Sequence, residues 1–266
     1  MKVVCDMRNV WFLQGLLVRM AFLRLPIALV ASLVLAGCEG GGTDGGSSDT
    51  GRGGSTARMV VIDDYLYAIS DETQGFSRGS VQLFDVSAPE EPNPWVRVSV
   101  DRDIETLFPY GDYLLVGAAD GMHIMDNTDK ANPQYVVKFE HAQARDPVVA
   151  MGGYAYVTLA NDFGGVNEML VVDINDITNP QLVRQFAMQQ PAGLAVTEDE
   201  LFVCDGPAGL KIFDRTNPVE LSIKETIRGI ECRDVIVEGD NLIAITDEGL
   251  FQYEHAEFPA LPLSSL

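Results

Sequence analysis

Residues 144–180 read ARDPVVAMGGYAYVTLANDFGGVNEMLVVDINDITNP, and they carry the clearest indication of the fold. Short apolar runs alternate in it with Gly, Asp, Asn and Pro, and no helical period of useful length appears. Apolar runs of this length, bounded by turn residues, are typical of strands. We therefore predict three strands in this region, at 148–151, 154–159 and 170–173, and a fourth directly after it, at 182–187.

The same unit occurs five times over residues 57–266. One landmark is an apolar run that ends in aspartate in four units: Leu83-Phe84-Asp85, Ile124-Met125-Asp126, Val171-Val172-Asp173, Ile212-Phe213-Asp214 and Leu250-Phe251-Gln252-Tyr253. A second landmark precedes each run: Tyr65-Leu66-Tyr67-Ala68, Tyr113-Leu114-Leu115-Val116, Tyr154-Ala155-Tyr156-Val157, Leu201-Phe202-Val203-Cys204 and Leu242-Ile243-Ala244-Ile245. Because a four-stranded sheet of about 42 residues buries its faces only against neighbouring sheets, the period predicts an all-β fold, a β-propeller of about five four-stranded blades.

Several motifs of the unit match a known repeat. They are Ala144-Arg145-Asp146, Tyr154-Ala155-Tyr156-Val157, Val171-Val172-Asp173, Asp205-Gly206 and Arg233-Asp234-Val235. In these motifs the chain resembles the LVIVD-repeat family, whose unit reads approximately Ala-Arg-Asp-Val, Tyr-Ala-Tyr-Val, an Asp-Gly turn, Gly-Leu-x-Ile-Val-Asp and a Pro-rich turn. The resemblance implies a surface or envelope β-propeller and no particular chemistry. In the turn that follows each landmark Asp, we expect the Asp side chain to cap its own turn.

Five blades lie within the range of propellers that close a ring alone. The last strand would come from residues 260–266, where Pro259 and Pro262 weaken pairing but are tolerated at a sheet edge. We therefore expect a monomer if the ring closes and a dimer if it stays open.

Residues 1–37 predict a bacterial signal peptide. Residues 25–36 are apolar, follow Arg19 and Arg24, and are too few to span a bilayer as a helix, which needs about 20. The segment Leu35-Ala36-Gly37-Cys38 resembles the lipobox of lipoproteins, which implies that Cys38 becomes the lipidated first residue. Ordinary cleavage beside a chance cysteine is the alternative. Residues 20–38 alone would make a complete lipoprotein signal, which favours Met20 as the start of translation.

Composition predicts a tether at 38–56 and a propeller domain at 57–266. The tether consists almost wholly of Gly, Ser, Thr and Asp, which bury no apolar surface. The chain has 18 Lys and Arg against 39 Asp and Glu, a net charge of −21, and no basic cluster, so we expect no nucleic-acid partner. Anionic headgroups repel such a body, so we expect membrane attachment through the lipid alone.

Three Arg-Asp pairs are the candidate binding site. Arg145-Asp146 and Arg233-Asp234 open the first strand of their units, and Arg102-Asp103 lies nearby in the second unit. First strands line the central channel of a propeller, so we expect these pairs around one mouth of the channel. They serve either as an ion-pair ring that fixes the packing of blades or as a binding site.

Two cysteines remain in the predicted propeller, Cys204 and Cys232. They lie in adjoining units and, in an oxidising envelope, are a possible disulfide. The alternative is two packed thiols, because Cys232 begins a first strand whereas Cys204 lies inside a second.

We predict no catalytic residue, no metal and no cofactor. The histidines lie at non-equivalent positions without metal-ligand spacing: His123, His141 and His255. The turns Asp126-x-x-Asp129-x-x-Asn132 and Asp173-x-x-Asp176-x-x-Asn179 offer oxygens to calcium, although the same residues serve to cap turns.

The expected function is a lipid-anchored, non-enzymatic scaffold of the cell envelope that binds another protein or a surface polymer. One alternative is a propeller hydrolase or lyase that uses carboxylates at the channel mouth, and another is an oligomeric structural component of the envelope. Glu39 follows the lipidated cysteine, where Asp is the better-known inner-membrane signal, so outer-membrane sorting is favoured.

Overall fold

The computed structural model describes residues 54–70, 78–88, 90–142, 144–145, 147–161, 165–254 and 261–265, and for residues 78, 101, 102 and 261–265 it describes the backbone alone. In this part of the chain, twenty strands form five four-stranded antiparallel sheets, each built from consecutive strands, and the sheets are the blades of a β-propeller. The predicted fold class is therefore confirmed.

The strands are as follows. Blade 1 contains β1 (Met59–Ile62), β2 (Tyr65–Ser70), β3 (Arg78–Asp85) and β4 (Asn93–Arg102). Blade 2 contains β5 (Ile104–Tyr110), β6 (Tyr113–Ala118), β7 (Gly121–Asp126) and β8 (Gln134–Glu140). Blade 3 contains β9 (Val148–Met151), β10 (Tyr154–Leu159), β11 (Glu168–Asp173) and β12 (Gln181–Ala187). Blade 4 contains β13 (Leu194–Val196), β14 (Glu200–Cys204), β15 (Leu210–Asp214) and β16 (Ser222–Ile227). Blade 5 contains β17 (Cys232–Glu238), β18 (Asn241–Thr246), β19 (Gly249–Glu254) and β20 (Leu261–Ser265).

The aspartate that ends the third strand caps the next turn in four blades, as expected from the sequence. Asp85, Asp126, Asp173 and Asp214 each accept a hydrogen bond of 2.9 Å from the backbone N–H two residues later. The hydroxyl and amide of Ser87 lower the pKa of Asp85 below its usual value, and Thr216 acts in the same way on Asp214. The repeated turn is thus a repeated side-chain cap.

Backbone pairing corrects the alignment of the last two repeats by one residue. Tyr113 pairs with Asp126 in blade 2, and the pairs Glu200 with Asp214 and Asn241 with Glu254 stand in the same place. The fifth unit therefore ends in Glu254 where the sequence comparison placed Tyr253. The sequence comparison matched apolar residues by type, which does not determine the pairing register. A shift of one residue moves every side chain to the other face of the strand.

Four apolar cores join neighbouring blades: blade 1 to 2, 2 to 3, 3 to 4, and 4 to 5. We call the face that blades 2 to 5 present to the preceding blade the front face, and the face that blades 1 to 4 present to the following blade the back face; the equivalent faces of blades 1 and 5 carry the same names. Leu114 in β6 belongs to the front face of blade 2, and its neighbour Leu115 belongs to the back face. This alternation follows from the period of two along a strand.

Back faces also reach the capped turn of the next blade. Tyr67 of blade 1 donates its hydroxyl to Asn127 Oδ1 at 3.0 Å, and Arg215 Nε of blade 4 donates to the hydroxyl of Tyr156 of blade 3 at 2.9 Å. Leu115 stands at the same position in blade 2 and shares a core with Ile174, the residue equivalent to Asn127. Where the back-face residue is polar, the residue after the capping aspartate of the next blade is therefore polar too, and where one is apolar, so is the other.

Candidate functional site

One mouth of the channel opens into a cavity of 420 Å³. The charged and polar residues of its lining are Thr56, Arg58, Glu105, Thr106, Arg145, Gln190, Arg233 and Asp234. This volume lies within the range of about 300–1,000 Å³ that is typical of ligand pockets.

Five register-equivalent residues, one from each blade, surround this cavity, and we call them the mouth ring: Arg58, Thr106, Pro147, Gly193 and Asp234. Each directly precedes the inner-strand residue that holds the same place in the pairing with the second strand: Met59, Leu107, Val148, Leu194 and Val235. Five equivalent backbone positions thus carry five different side chains. A ring of this kind is asymmetric and is suited to holding a ligand in one orientation.

A bulge in β17 separates the two members of the Arg233-Asp234 pair. The pairing of β17 with β18 shifts between Cys232 and Asp234, which leaves Arg233 as the extra residue. Arg233 is exposed, whereas Asp234 is partly buried in the mouth ring. Glu105 holds the equivalent extra position in β5. The bulge therefore places one charged residue outside the ring and one within it.

Arg233 makes its ion pair inside its own blade. Its Nε and Nη2 donate to Asp247 Oδ1 at 2.7 Å and Oδ2 at 2.6 Å, a bidentate pair, and Glu231 lies at 3.8 Å. These hydrogen bonds from Arg233 lower the pKa of Asp247. The geometry is that of an exposed pair at the rim of the cavity.

Asp234 is held by the chain segment that precedes blade 1. Thr56 Oγ1 donates to Asp234 Oδ2, and the N–H of Val235 donates to Oδ1 at 2.9 Å. Burial nevertheless dominates and raises the pKa of Asp234 above its ordinary value. A side chain at Gly193 would place its Cβ 2.0 Å from Asp234 Oδ1, so this carboxyl group requires glycine at position 193.

The turn formed by Gly54, Ser55, Thr56 and Ala57, here the N-terminal turn, spans the channel. The N–H of Ala57 donates to the Gly54 carbonyl at 3.0 Å, and Ser55 is buried and accepts a hydrogen bond of 2.7 Å from the N–H of Leu194. A deeper cavity of 170 Å³ is lined by Gly54, Ser55 and apolar residues of β5, β9, β13 and β17. The propeller thus includes three residues that the sequence assigned to the tether.

The other predicted site residues are distributed as follows. Arg145 is exposed, lines the cavity and is bridged through its backbone to Ala160. Asp103 is exposed, has a φ of 57° and is not among the described residues that line the cavity. Arg102, which the sequence placed in the second unit, is the last residue of β4 in blade 1, and the structure describes only its backbone. Asp146 and Cys38 lie outside the described residues. Arg145, Arg233 and Asp234 are therefore the predicted residues that the structure brings together.

The sequence did not indicate Thr56, Arg58, Glu105 or Gln190. Arg58 and Thr106 occupy mouth-ring positions that become visible only when the units are aligned by strand pairing. Gln190 is positioned by Asp205 of the Asp-Gly motif, whose Oδ1 accepts hydrogen bonds of 2.8 Å from the N–H groups of Gln189 and Gln190.

Cys204 and Cys232 form a disulfide in the structure. Their Cα atoms lie 4.9 Å apart, and both side chains are buried. The bond joins β14 of blade 4 to β17 of blade 5, beside the cavity that Cys232 lines.

The acidic turns act as caps in the structure. Asp129 Oδ1 accepts from the N–H of Ala131, and Asp176 Oδ1 accepts from the N–H of Thr178, each at 3.1 Å. Within the described ranges we find no group of three His, Cys, Asp or Glu side chains placed to hold a metal ion. His255 lies outside those ranges.

Comparison with known families identifies one repeat directly. Residues 143–187, which include all four strands of blade 3, match the model of the LVIVD repeat. No curated protein matches the chain. In the part of the chain that the structure describes, no helix has the length and apolar character needed to cross a bilayer.

Solved structures share the fold at low sequence identity. A protein of unknown function from Desulfotomaculum acetoxidans aligns with a TM-score of 0.61 and 11% identity, over 79% of this chain and 68% of its own. A protein from Lactobacillus plantarum gives 0.62 and 12%, over 76% and 67%. AztD from Citrobacter koseri gives 0.55 and 14%, over 77% of this chain and 60% of AztD. The chain thus spans about three fifths to two thirds of these proteins.

Proposed function

We propose that this protein is a lipid-anchored binding module of the bacterial envelope, and that it holds a protein or surface-polymer partner at the channel mouth. The observation that carries the proposal is the 420 Å³ cavity, which gathers Arg145, Arg233 and Asp234 around an asymmetric mouth ring. Arginine and carboxylate groups in a concave site suit a partner rich in hydrogen-bonding groups.

Attachment to the membrane rests on the lipobox-like segment that ends at Cys38 and on the Gly- and Ser-rich residues after it. Expression of the full chain and of Cys38→Ala, followed by membrane fractionation and intact mass, tests this part. The wild type should sediment with membranes and carry lipid, whereas the variant should lose both properties. A Cys38→Ala variant that remains membrane-bound contradicts the anchor.

The binding site is tested with the full chain, because a version that begins at Ala57 would lack Ser55 and Thr56. Detergent-purified wild type, Arg145→Ala/Arg233→Ala and the control Arg184→Ala/Arg228→Ala are used to capture components from envelope extracts of the source bacterium. Arg184 and Arg228 are exposed arginines outside the cavity lining. We expect wild type and control to retain the same partner and the mouth variant to lose it. Equal retention by the mouth variant contradicts the site.

A hydrolase or lyase is a second candidate function. The observation that favours it is Asp234, a partly buried carboxyl group of raised pKa at a cavity, which is a feature common to catalytic acids. Turnover of an envelope polysaccharide or ester by wild type, lost in Asp234→Asn while binding persists, would support this candidate. Full turnover by Asp234→Asn would exclude Asp234 as its acid.

A further inference from the structure

The junction between blade 5 and blade 1 differs from the other four junctions. Among the described residues, each of the four cores joins one blade to the next, and none of them includes residues of both blade 5 and blade 1. Among the described strands, the inner strands of the other neighbours lie side by side, whereas β17 and β1 make no comparable contact. Within the described ranges, the N-terminal turn contacts blade 5 here, through Thr56 and Asp234.

The front face of blade 1 is correspondingly exposed. Strand pairing places Met59, Val61, Leu66, Ala68, Gln82 and Phe84 on this face. Met59 is 64% exposed, while its equivalents on the other front faces are almost fully buried: Leu107, Val148, Leu194 and Val235. A groove of 430 Å³ on this face is lined by residues of blade 1 alone, among them Ala68, Phe84 and Arg97.

The back face of blade 5 is partly exposed in the same way. Strand pairing places Ile236, Ile243, Ile245, Leu250 and Gln252 on this face. Ile243 is only partly buried, while its equivalents on the other back faces are fully buried: Tyr67, Leu115, Tyr156 and Phe202. Ile245 is 43% exposed.

These two faces are complementary. At the junctions of blade 1 with blade 2 and of blade 3 with blade 4, the residue equivalent to Ile243 contacts the residue that follows the capping aspartate. In blade 1 the residue after the capping aspartate is Val86, which is apolar like Ile243. The blade 1 face also carries Arg97, whose Nε donates to Gln82 Oε1 of the same blade at 3.1 Å, and the blade 5 face carries the exposed residue Glu254. Burying such a pair of faces is the interaction that holds neighbouring blades together.

We propose that a second copy of this chain covers both faces, so that blade 5 of each copy packs on blade 1 of the other in a two-fold dimer. A second copy is the occupant that the observations favour, because each molecule carries both halves of a blade junction and leaves them apart. Two-fold symmetry satisfies both halves at once and limits the assembly to two copies. This inference does not depend on the channel mouth or on its partner.

The test measures the mass of the full chain in mild detergent by sedimentation and light scattering, over a range of concentrations. We expect a dimer for wild type. Met59→Glu on blade 1 and Ile245→Glu on blade 5 should each weaken dimerisation at least about tenfold, because each buries a charge in an apolar contact. Val183→Glu is the matched control, since Val183 is 40% exposed on the outer strand of blade 3, and it should dimerise like wild type.

Mixing the two variants gives the decisive outcome. In a mixed dimer one junction combines the intact blade 5 of the Met59→Glu chain with the intact blade 1 of the Ile245→Glu chain, so dimers should reappear. Val61→Glu, which changes a residue 46% exposed on the same face as Met59, repeats the test at a second position. Three results would each overturn the proposal: a monomeric wild type, Met59→Glu and Ile245→Glu variants that dimerise like the control, or a mixture of the two that stays monomeric.

Discussion

Arg215 is a buried cation whose partners are neutral groups. Its Nε donates to the hydroxyl of Tyr156 at 2.9 Å, and Nη2 donates to the carbonyl of Met151 at 2.7 Å. Nη1 donates to the carbonyls of Thr197, at 3.2 Å, and Glu198. The guanidinium carbon also lies 5.6 Å from the centre of the Tyr156 ring. One side chain therefore ties blade 4 to blade 3 through several polar groups.

Arg215→Met should strongly reduce the free energy of unfolding. The change leaves buried oxygens of Met151 and Tyr156 without their donor, and we expect a loss of about 3 kcal/mol in urea denaturation. Arg184→Met, at an exposed arginine, should change stability by no more than about 0.5 kcal/mol. Equal effects of the two substitutions would show that the buried contacts contribute little.

Asp234 and Asp247 should affect the pH dependence of the free energy of unfolding in opposite directions. Burial raises the pKa of Asp234, so wild type should be most stable relative to Asp234→Asn in acid and should lose that advantage as pH rises through the raised pKa. Hydrogen bonds from Arg233 lower the pKa of Asp247, so relative to Asp247→Asn wild type should lose stability as pH falls. Urea titrations at several pH values measure both slopes, and slopes of the same sign would contradict this assignment.

At the scale of elements, the capped turn after each third strand is the repeated device that can be tested. Asp126→Ala removes the acceptor for the N–H of Thr128, whereas Asp126→Asn keeps an acceptor oxygen. We expect the alanine variant to melt at a lower temperature than wild type and the asparagine variant to remain closer to it. Hydrogen bonds from Thr128 also lower the pKa of Asp126. The cap of wild type should therefore weaken as pH falls through the lowered pKa of Asp126, whereas the stability of Asp126→Asn should not show this dependence.

The Asp173→Ala and Asp214→Ala substitutions repeat this test in other blades. Because the three turns are separate and share no partners, the reductions in stability should add in the combined variant. A combined loss well below the sum would show that the turns are not independent.

Strands and capped turns could be predicted from the sequence because their signals are local. The alternation in Tyr154–Leu159 and the spacing from Asp173 to Pro180 can both be recognised in the amino-acid sequence. Register was less certain, since Leu201 and Leu242 match the tyrosine landmark by type but pair one position further along the sheet. Only backbone pairing distinguishes these two alignments.

At the scale of the whole molecule, the parts of the site that escaped prediction depend on distant contacts. Ser55 meets Leu194, and Thr56 meets Asp234, across sequence separations of 139 and 178 residues. The composition of a Gly- and Ser-rich segment does not predict such contacts, so the sequence assigned its last residues to the tether. Arg145, Arg233 and Asp234 were predicted at the mouth because repeat position alone places the start of a first strand there.

The disulfide between Cys204 and Cys232 should matter most for blade 5, whose packed core is shared with blade 4 alone among the described residues. It closes a loop of 28 residues, and the loss of this constraint should reduce the free energy of unfolding by about 3–4 kcal/mol. Reductant should therefore lower the urea midpoint of wild type but not that of Cys204→Ala/Cys232→Ala. Hydrogen exchange should show β17 and β18 losing protection before β9 and β10. An unchanged midpoint, or equal loss in blades 3 and 5, would mean that packing rather than the disulfide retains the last blade.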